Sequence, residues 1–164
     1  AATGNDNTSA TPEVLVAIGD LAGASGTTGL RAPTITDMRF VVGSTAATDL
    51  TAGSSSQTIT VEITYDEQVT VVGNPTVAVA NGNEGTGTGR GPYTLVYTGT
   101  GSTANRLRFT LASQTIAEDD VLTLGGSNIA LAGGTISDTV VGGTTLAASL
   151  VLSGLTAVTH TVLA

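Results

Sequence analysis

The feature that most constrains the fold is an alternation of apolar and polar residues with a period of two. It is clearest in residues 58–65, and residues 93–97 and 107–111 repeat it. One face of the first segment carries the apolar side chains of Ile59, Val61, Ile63 and Tyr65. Because successive side chains of a strand point to opposite sides of its sheet, each segment is predicted to be a strand with one buried face.

Shorter apolar segments, separated by turns rich in Gly, Asn and Pro, extend this pattern along the chain. They predict further strands at residues 35–42, 69–72, 76–80, 121–124, 129–131, 146–152 and 160–163. Thr is the commonest residue, with 31 copies, and its β-branched side chain suits a strand. Many short strands with closely spaced turns predict an all-β fold, an antiparallel sandwich or barrel.

The chain is predicted to divide into an N-terminal arm, residues 1–32, and a β domain, residues 33–164. Within the arm, residues 14–18 form an uncharged apolar run that is long enough for one strand, with small and polar residues around it. A lone apolar strand cannot bury itself, so it must add to a sheet in its own domain or in a neighbour. The predicted interface residues of the arm are Val14, Leu15, Val16 and Ile18.

The most apolar long segment is residues 145–164, which contains no charged residue unless His160 is protonated. Part of it is expected to fill the core, and the rest to offer apolar surface that another chain covers. His160 is expected on a half-buried strand face or at a subunit contact. The predicted interface residues of this segment are Leu155, Val158 and Val162.

Composition excludes several kinds of chemistry. The chain has no Cys, and therefore no disulfide framework or thiolate metal site. It has no Lys and a net charge of −8, which argues against nucleic acid, since phosphate binding depends on Lys and Arg. No apolar run approaches the roughly 18 residues of a membrane span. With a single His and no Gly-x-Ser-x-Gly elbow, neither a catalytic residue nor a cofactor is predicted.

Three segments carry a resemblance to a known family. Residues 61–79 (VEITYDEQVTVVGNPTVAV) combine a strand, an acidic turn, Val-x-Val and a Gly-x-Pro turn. Residues 97–111 add a Tyr, a Gly-rich turn and a further strand, and residues 131–138 contain Gly-Gly-Thr-Ile-x-Asp. In this order they resemble the bacterial Ig-like repeats of large surface proteins, which also occur on tailed-phage virions. The resemblance implies an antiparallel Ig-like β-sandwich with a structural or adhesive role and without catalytic residues.

Two loops invite a binding function. Glu118, Asp119 and Asp120 form the one cluster of three adjacent acids, and Ca²⁺ prefers several converging oxygen ligands. No EF-hand spacing is present, so the alternative is a solvated turn at a strand end. Residues 82–92 are rich in Gly and are expected to form a long mobile hairpin loop with Arg90 at its tip, able to contact a partner.

These observations favour a non-enzymatic structural protein that works in many copies. The specific expectation is a capsid decoration, or cement, protein at the virion surface of a tailed phage, whose partners are the major capsid protein or other shell subunits and copies of itself. The alternative is an extracellular adhesin module or a pilus-like filament subunit assembled by strand exchange. A Met codon directly before Ala1 would favour the virion, and a cleaved leader the cell surface. A carbohydrate-binding module is disfavoured because the chain has no Trp and three Tyr.

Overall fold

The computed structural model describes residues 32–42, 45–46, 50, 52–85, 87–139 and 145–164. These residues form strands and loops without any helix. The strands are β1 (Ile35–Val42), β2 (Thr45–Ala46), β3 (Gly53–Tyr65), β4 (Val69–Val72), β5 (Thr76–Asn81), β6 (Tyr93–Thr98), β7 (Arg106–Ile116), β8 (Val121–Leu124), β9 (Thr135–Asp138) and β10 (Val158–Thr161).

The strands assemble into two antiparallel sheets. The larger has the order β10-β8-β5-β6-β7-β3-β1-β2, and β4 pairs with β9 in the smaller. Every strand pairing in the described part of the chain is antiparallel. The predicted all-β class and antiparallel pairing are therefore confirmed, in an arrangement consistent with a β-sandwich.

A single core joins the two sheets. The inward face of β3 buries the alternating side chains predicted from the sequence, and β7 adds Leu107 and Phe109 opposite them. Val69 and Ile136, from the small sheet, belong to the same cluster, as does Leu152 from the extended C-terminal segment. Burial of these apolar side chains provides the main stabilisation, at about 25 cal/mol per Å².

The segments with the clearest alternation, residues 58–65, 93–97 and 107–111, are all strands in the structure. β1, β4 and β8 have the predicted bounds, whereas β3 and β7 are longer than predicted. Residues 129–131 and 146–152 were predicted as strands but make single bridges, Ala130 to Thr76 and Ala147 to Ser137. They pack as extended segments on the core, which apolar side chains can do without a ladder. The predicted arm, including Val14, Leu15, Val16 and Ile18, lies outside the described residues apart from Ala32.

Candidate functional site

Asp120 is a buried carboxylate that fastens the loop between β5 and β6 to the turn before β8. Arg90 donates to both of its oxygens, with Nε 2.6 Å from Oδ2 and Nη2 2.5 Å from Oδ1. The Asn81 amide and the Ala117 N–H donate to Oδ2 at 2.9 and 3.0 Å. The Asp120 side chain is fully buried and that of Arg90 is 11% exposed. A shielded, two-pronged pair of this kind is a strong charge-assisted contact.

This environment fixes the charge of Asp120. The hydrogen bonds from Arg90 hold the pKa of Asp120 far below its usual range, although burial alone would raise it. The N–H of Ala117 and the amide of Asn81 lower the pKa further. The same pairing raises the pKa of Arg90. Asp120 is therefore a permanent anion at neutral pH and has no proton to transfer.

The prediction that Arg90 lies at the tip of the Gly-rich loop is wrong, because the Arg90 side chain turns inward to Asp120. Asn83 fastens the neck of the loop: its Nδ2 donates to the Arg90 carbonyl, and its Oδ1 accepts the Arg90 N–H, both at 2.9 Å. Gly85 lies so close to the next turn that a Cβ there would be 1.8 Å from the Glu118 carbonyl oxygen. The loop is thus a hairpin connection held at its base.

The same contacts determine the role of the three predicted Ca²⁺ ligands. Asp120 spends both oxygens on protein donors, whereas Glu118 and Asp119 are exposed in the turn. Asp119 has a φ of 65°, a left-handed conformation that Asp tolerates in turns. Across the described ranges, no group of three or more His, Asp or Glu side chains is arranged to hold a metal ion. The geometry is that of an acidic turn around one buried, paired carboxylate.

Glu62 is a second buried carboxylate, in the middle of the outer face of β3. Its cross-strand neighbours are Arg39 on β1 and Arg108 on β7. Arg39 Nε lies 3.0 Å from Oε1, Arg108 Nε 3.1 Å from Oε2, and Arg106 Nη1 3.7 Å from Oε1. Burial would raise the pKa of Glu62, but the hydrogen bonds from Arg108 and Arg39 and the charge of Arg106 lower it overall.

This Arg group was not predicted from the sequence, although the signal was present. Three of the five Arg residues of a strongly acidic chain converge on one carboxylate. Because Glu62 and Arg108 lie on the outward faces of alternating strands, pairing the two alternations in register would have placed them side by side. The arrangement joins β1, β3 and β7 across the sheet.

A third acidic group lies where β4 meets β9. Asp138 is buried, its Oδ1 accepts the Leu146 N–H at 2.7 Å, and its Oδ2 has no hydrogen-bond partner among the described residues. Burial, together with the negative charges of Asp66 and Asp138, raises the pKa of Glu67. Asp66 itself is held by the N–H and hydroxyl of Thr34, at 2.8 and 2.6 Å.

A cleft lies between β1 and β10, and we call it the seam. It has a volume of about 480 Å³ and is lined by residues 36–38 on one side and 155–159 on the other. Leu155 and Val158, two of the predicted interface residues, are half-buried here and pack against the core. Val162 is fully buried in the core of its own chain, so its side chain offers no surface to a partner.

The seam is closed at one end and open at the other. At the closed end, Leu163 exchanges hydrogen bonds with Leu50 and Ala52, at 2.9 and 2.8 Å. His160 lies beside this contact; its Nε2 accepts the Leu50 N–H at 3.0 Å, and its ring centroid is 5.8 Å from that of Phe40. His160 is thus on a half-buried strand face, one of its two predicted positions. Beyond these rings, β1 and β10 have no ladder between them.

The floor of the seam is apolar. The Met38 side chain reaches across from β1, and a Cβ on Gly125 would lie 2.5 Å from its Cε and 3.2 Å from the Ala157 Cα. A side chain at Gly125 would therefore push Met38 into the seam. The carboxylate of Asp37 is the one charge among the lining residues.

Comparison of the chain with known proteins gives no information on this site. No protein-family model, no curated protein and no solved structure matches the chain. The described residues also contain no helix that is long and apolar enough to cross a membrane.

Proposed function

We propose that this chain is a non-enzymatic structural protein, specifically a decoration protein on the capsid of a tailed phage, where it binds shell subunits and neighbouring copies of itself. The β domain, residues 33–164, would be an Ig-like sandwich, and the N-terminal arm would tether it. The observation that carries the proposal is the open seam. It combines half-buried apolar side chains with two strand edges. Among the described residues, β10 has no ladder on that side, and β1 is paired there with β2 at Val41 and Val42 but not along residues 36–38. Open edges of this kind are the elements of attachment by strand addition.

The states of the buried charges support a structural role. Arg90 lowers the pKa of Asp120, and three Arg residues lower that of Glu62, so neither carboxylate is poised to exchange a proton near neutral pH. His160 spends Nε2 on a backbone N–H. Each of these groups instead joins separate parts of the fold: a loop to a turn, strand to strand, and β10 to the segment before β3. Rigid connections of this kind suit a module that must hold its shape on a particle.

The open seam also fits the alternative, an extracellular adhesin module or a pilus-like filament subunit. In that case a donor strand from the preceding subunit would occupy the seam and generate a filament. The two functions differ in where the protein is found and in the symmetry of the assembly, because the same contact closes into rings on a shell and remains open in a filament.

Electron microscopy of native material separates these functions. An antibody against the β domain, coupled to gold, is applied to phage particles and to cells of the source. We expect label on capsid shells, and its loss when the antibody is first absorbed with the purified chain. Label along filaments or on cell envelopes, with bare capsids, would overturn the decoration proposal in favour of the alternative.

A further inference from the structure

We propose that the seam is an acceptor site for residues 14–18 of a second copy of this chain. This inference rests on the proposed multi-copy function and names the occupant of the site that carries it. The seam would become complete when this run lies between β1 and β10 as an added strand.

The direction of the strands explains why the seam is not closed by β1 and β10 themselves. Six antiparallel pairings connect β1 to β10 through β3, β7, β6, β5 and β8, so the two strands run in the same direction. A direct ladder would be the one parallel pairing in an antiparallel sheet, and parallel pairing is slightly less stable per residue. A strand running the opposite way between them would pair antiparallel with both.

Every second peptide group along β10 faces the seam, as pairing with an added strand requires. Val162 exchanges hydrogen bonds with Asp119 and Asp120 on the β8 side, whereas Leu163 exchanges them with Leu50 and Ala52 on the other side. Because alternate residues of a strand direct their N–H and C=O groups to the same side, Thr159 and Thr161 direct theirs towards β1.

On β1, every second peptide group also faces the seam. The Tyr65 N–H donates to Asn105 on the β7 side, so Thr64 and Glu62 direct their peptide groups towards β1. Their partners in the ladder are Asp37 and Arg39. Met38, between these two, therefore directs its N–H and C=O away from β3 and into the seam.

The run at residues 14–18 matches this site in length and in pattern. The lining segments, residues 36–38 and 155–159, span about 10–16 Å at roughly 3.3 Å per residue, and a five-residue strand spans about 16 Å. In a strand, Val14, Val16 and Ile18 share one face, which would cover the apolar floor at Met38. Leu15 and Ala17 would face outward, and the uncharged run brings no second charge beside Asp37.

The length of the connecting segment favours a second copy as the donor. Thirteen residues, 19–31, separate the run from Ala32, and they are mostly Gly, Ala, Ser and Thr. A tight β-hairpin joins its two strands with about 2–5 residues, far fewer than this connection has. As a random coil, thirteen residues span about 20 Å on average and up to about 43 Å when extended, enough to leave their own domain for a neighbour.

Engineered cysteines test this placement, since the natural chain contains none. Thr159 is exposed on β10, so an outward-facing donor residue opposite it would be Leu15 or Ala17. Two single variants are mixed and oxidised: one carries Thr159→Cys, and the other carries Leu15→Cys or Ala17→Cys. We expect a disulfide-linked heterodimer at least about tenfold more abundant than with Thr94→Cys, an exposed Thr on β6, because docking raises the local concentration of the two thiols.

Two further variants distinguish docking from chance collision. Val16→Cys places the thiol on the inward face and should cross-link to Thr159→Cys far less than Ala17→Cys does. Val16→Pro, added to the Cys variant that supplies residues 14–18, removes the N–H of residue 16 and should abolish the heterodimer. Thr8→Pro in the same variant should not. Circular dichroism confirms that each acceptor variant is folded. Equal cross-linking to Thr94→Cys would overturn the proposal. So would cross-linking confined within one chain when Thr159→Cys and Ala17→Cys are placed in the same chain.

The two proposals fail separately. If the purified chain forms heterodimers but capsids carry no gold label, the seam remains an acceptor site and the decoration role is overturned. Gold label on capsids without heterodimers would retain the decoration role and overturn residues 14–18 of a second copy as the occupant of the seam.

Discussion

Two buried carboxylates in this protein are neutralised in different ways. Asp120 depends on one Arg residue, which is itself almost fully shielded, and on three uncharged donors, from Asn81, Gly85 and Ala117. Glu62 is surrounded by three Arg residues, two of which are substantially exposed, with 35% and 44% of their side-chain surfaces accessible. Asp120 has no other Arg to replace Arg90, whereas Glu62 keeps two Arg residues when one is removed. The stability of the loop is therefore expected to depend on a single residue, and that of the sheet face on several.

The largest effect is expected from removing the one cation that Asp120 has. Arg90→Met keeps much of the apolar stem and removes the charge, which leaves a buried anion with uncharged donors only. We expect the free energy of unfolding, measured in urea, to fall by more than in any other variant described here. Arg106→Met is the matched control at Glu62 and should cost less than about 1 kcal/mol, since two Arg residues remain. Equal losses in the two variants would contradict the comparison.

Acid should weaken both sites in the same direction. The pKa of each carboxylate is lowered in the folded state, so the unfolded chain takes up protons first as the pH falls. Their contribution is fully present above the unfolded pKa of roughly 4 and is lost as the pH falls below it. Urea unfolding at a series of pH values measures this loss. The decrease should be shallower in Arg90→Met, because that variant has already lost the pair, and parallel curves would argue against the assignment.

The close approach of the loop to the neighbouring turn can be tested separately from its charge. Gly85→Ala would place a Cβ 1.8 Å from the Glu118 carbonyl oxygen, so the backbone must move. We expect a loss of about 1–3 kcal/mol in the free energy of unfolding. Gly126→Ala has open space around the new methyl group and should stay within about 0.5 kcal/mol of the parent. If both variants match the parent, the base of the loop is not packed as described.

The smallest effect concerns Glu67, a carboxylate that has no Arg partner among the described residues. The pKa of Glu67 is raised, so its contribution is favourable below the unfolded pKa of roughly 4 and is lost as the pH rises through the folded value. Glu67→Gln removes this ionisation and should stabilise the protein at pH 7 by no more than about 0.5 kcal/mol. Thermal unfolding at pH 7 and pH 3 checks the sign. A gain at pH 3 without one at pH 7 would contradict it.

The sequence predicted the fold best where a strand has one buried face. Residues 58–65 alternate because one side meets the core and the other meets solvent or polar side chains, and this period is visible without any knowledge of neighbours. β9 was not predicted because its four residues, Thr135–Asp138, are too few to show a period. Residues 146–152 show the opposite error. They were predicted as a strand because they are apolar, but their side chains enter the core without a ladder beside them.

The candidate sites were less predictable because they depend on distant partners. Arg90 looked like the tip of a flexible loop, and only the fold brings Asp120, thirty residues later, beneath it. The acidic cluster at residues 118–120 looked like one group, but the chain direction buries its third member and exposes the other two. The seam could not be predicted from local pattern, because it arises from the number of antiparallel steps between β1 and β10.

Met38 has a practical consequence for following this protein in solution. It is the one methionine in the chain, and its terminal methyl group lies at the floor of the seam beside Gly125. Isotope labelling of methionine would therefore give a single methyl resonance, with no assignment needed, positioned where an incoming strand would change its surroundings. The chain thus carries its own spectroscopic reporter of seam occupancy.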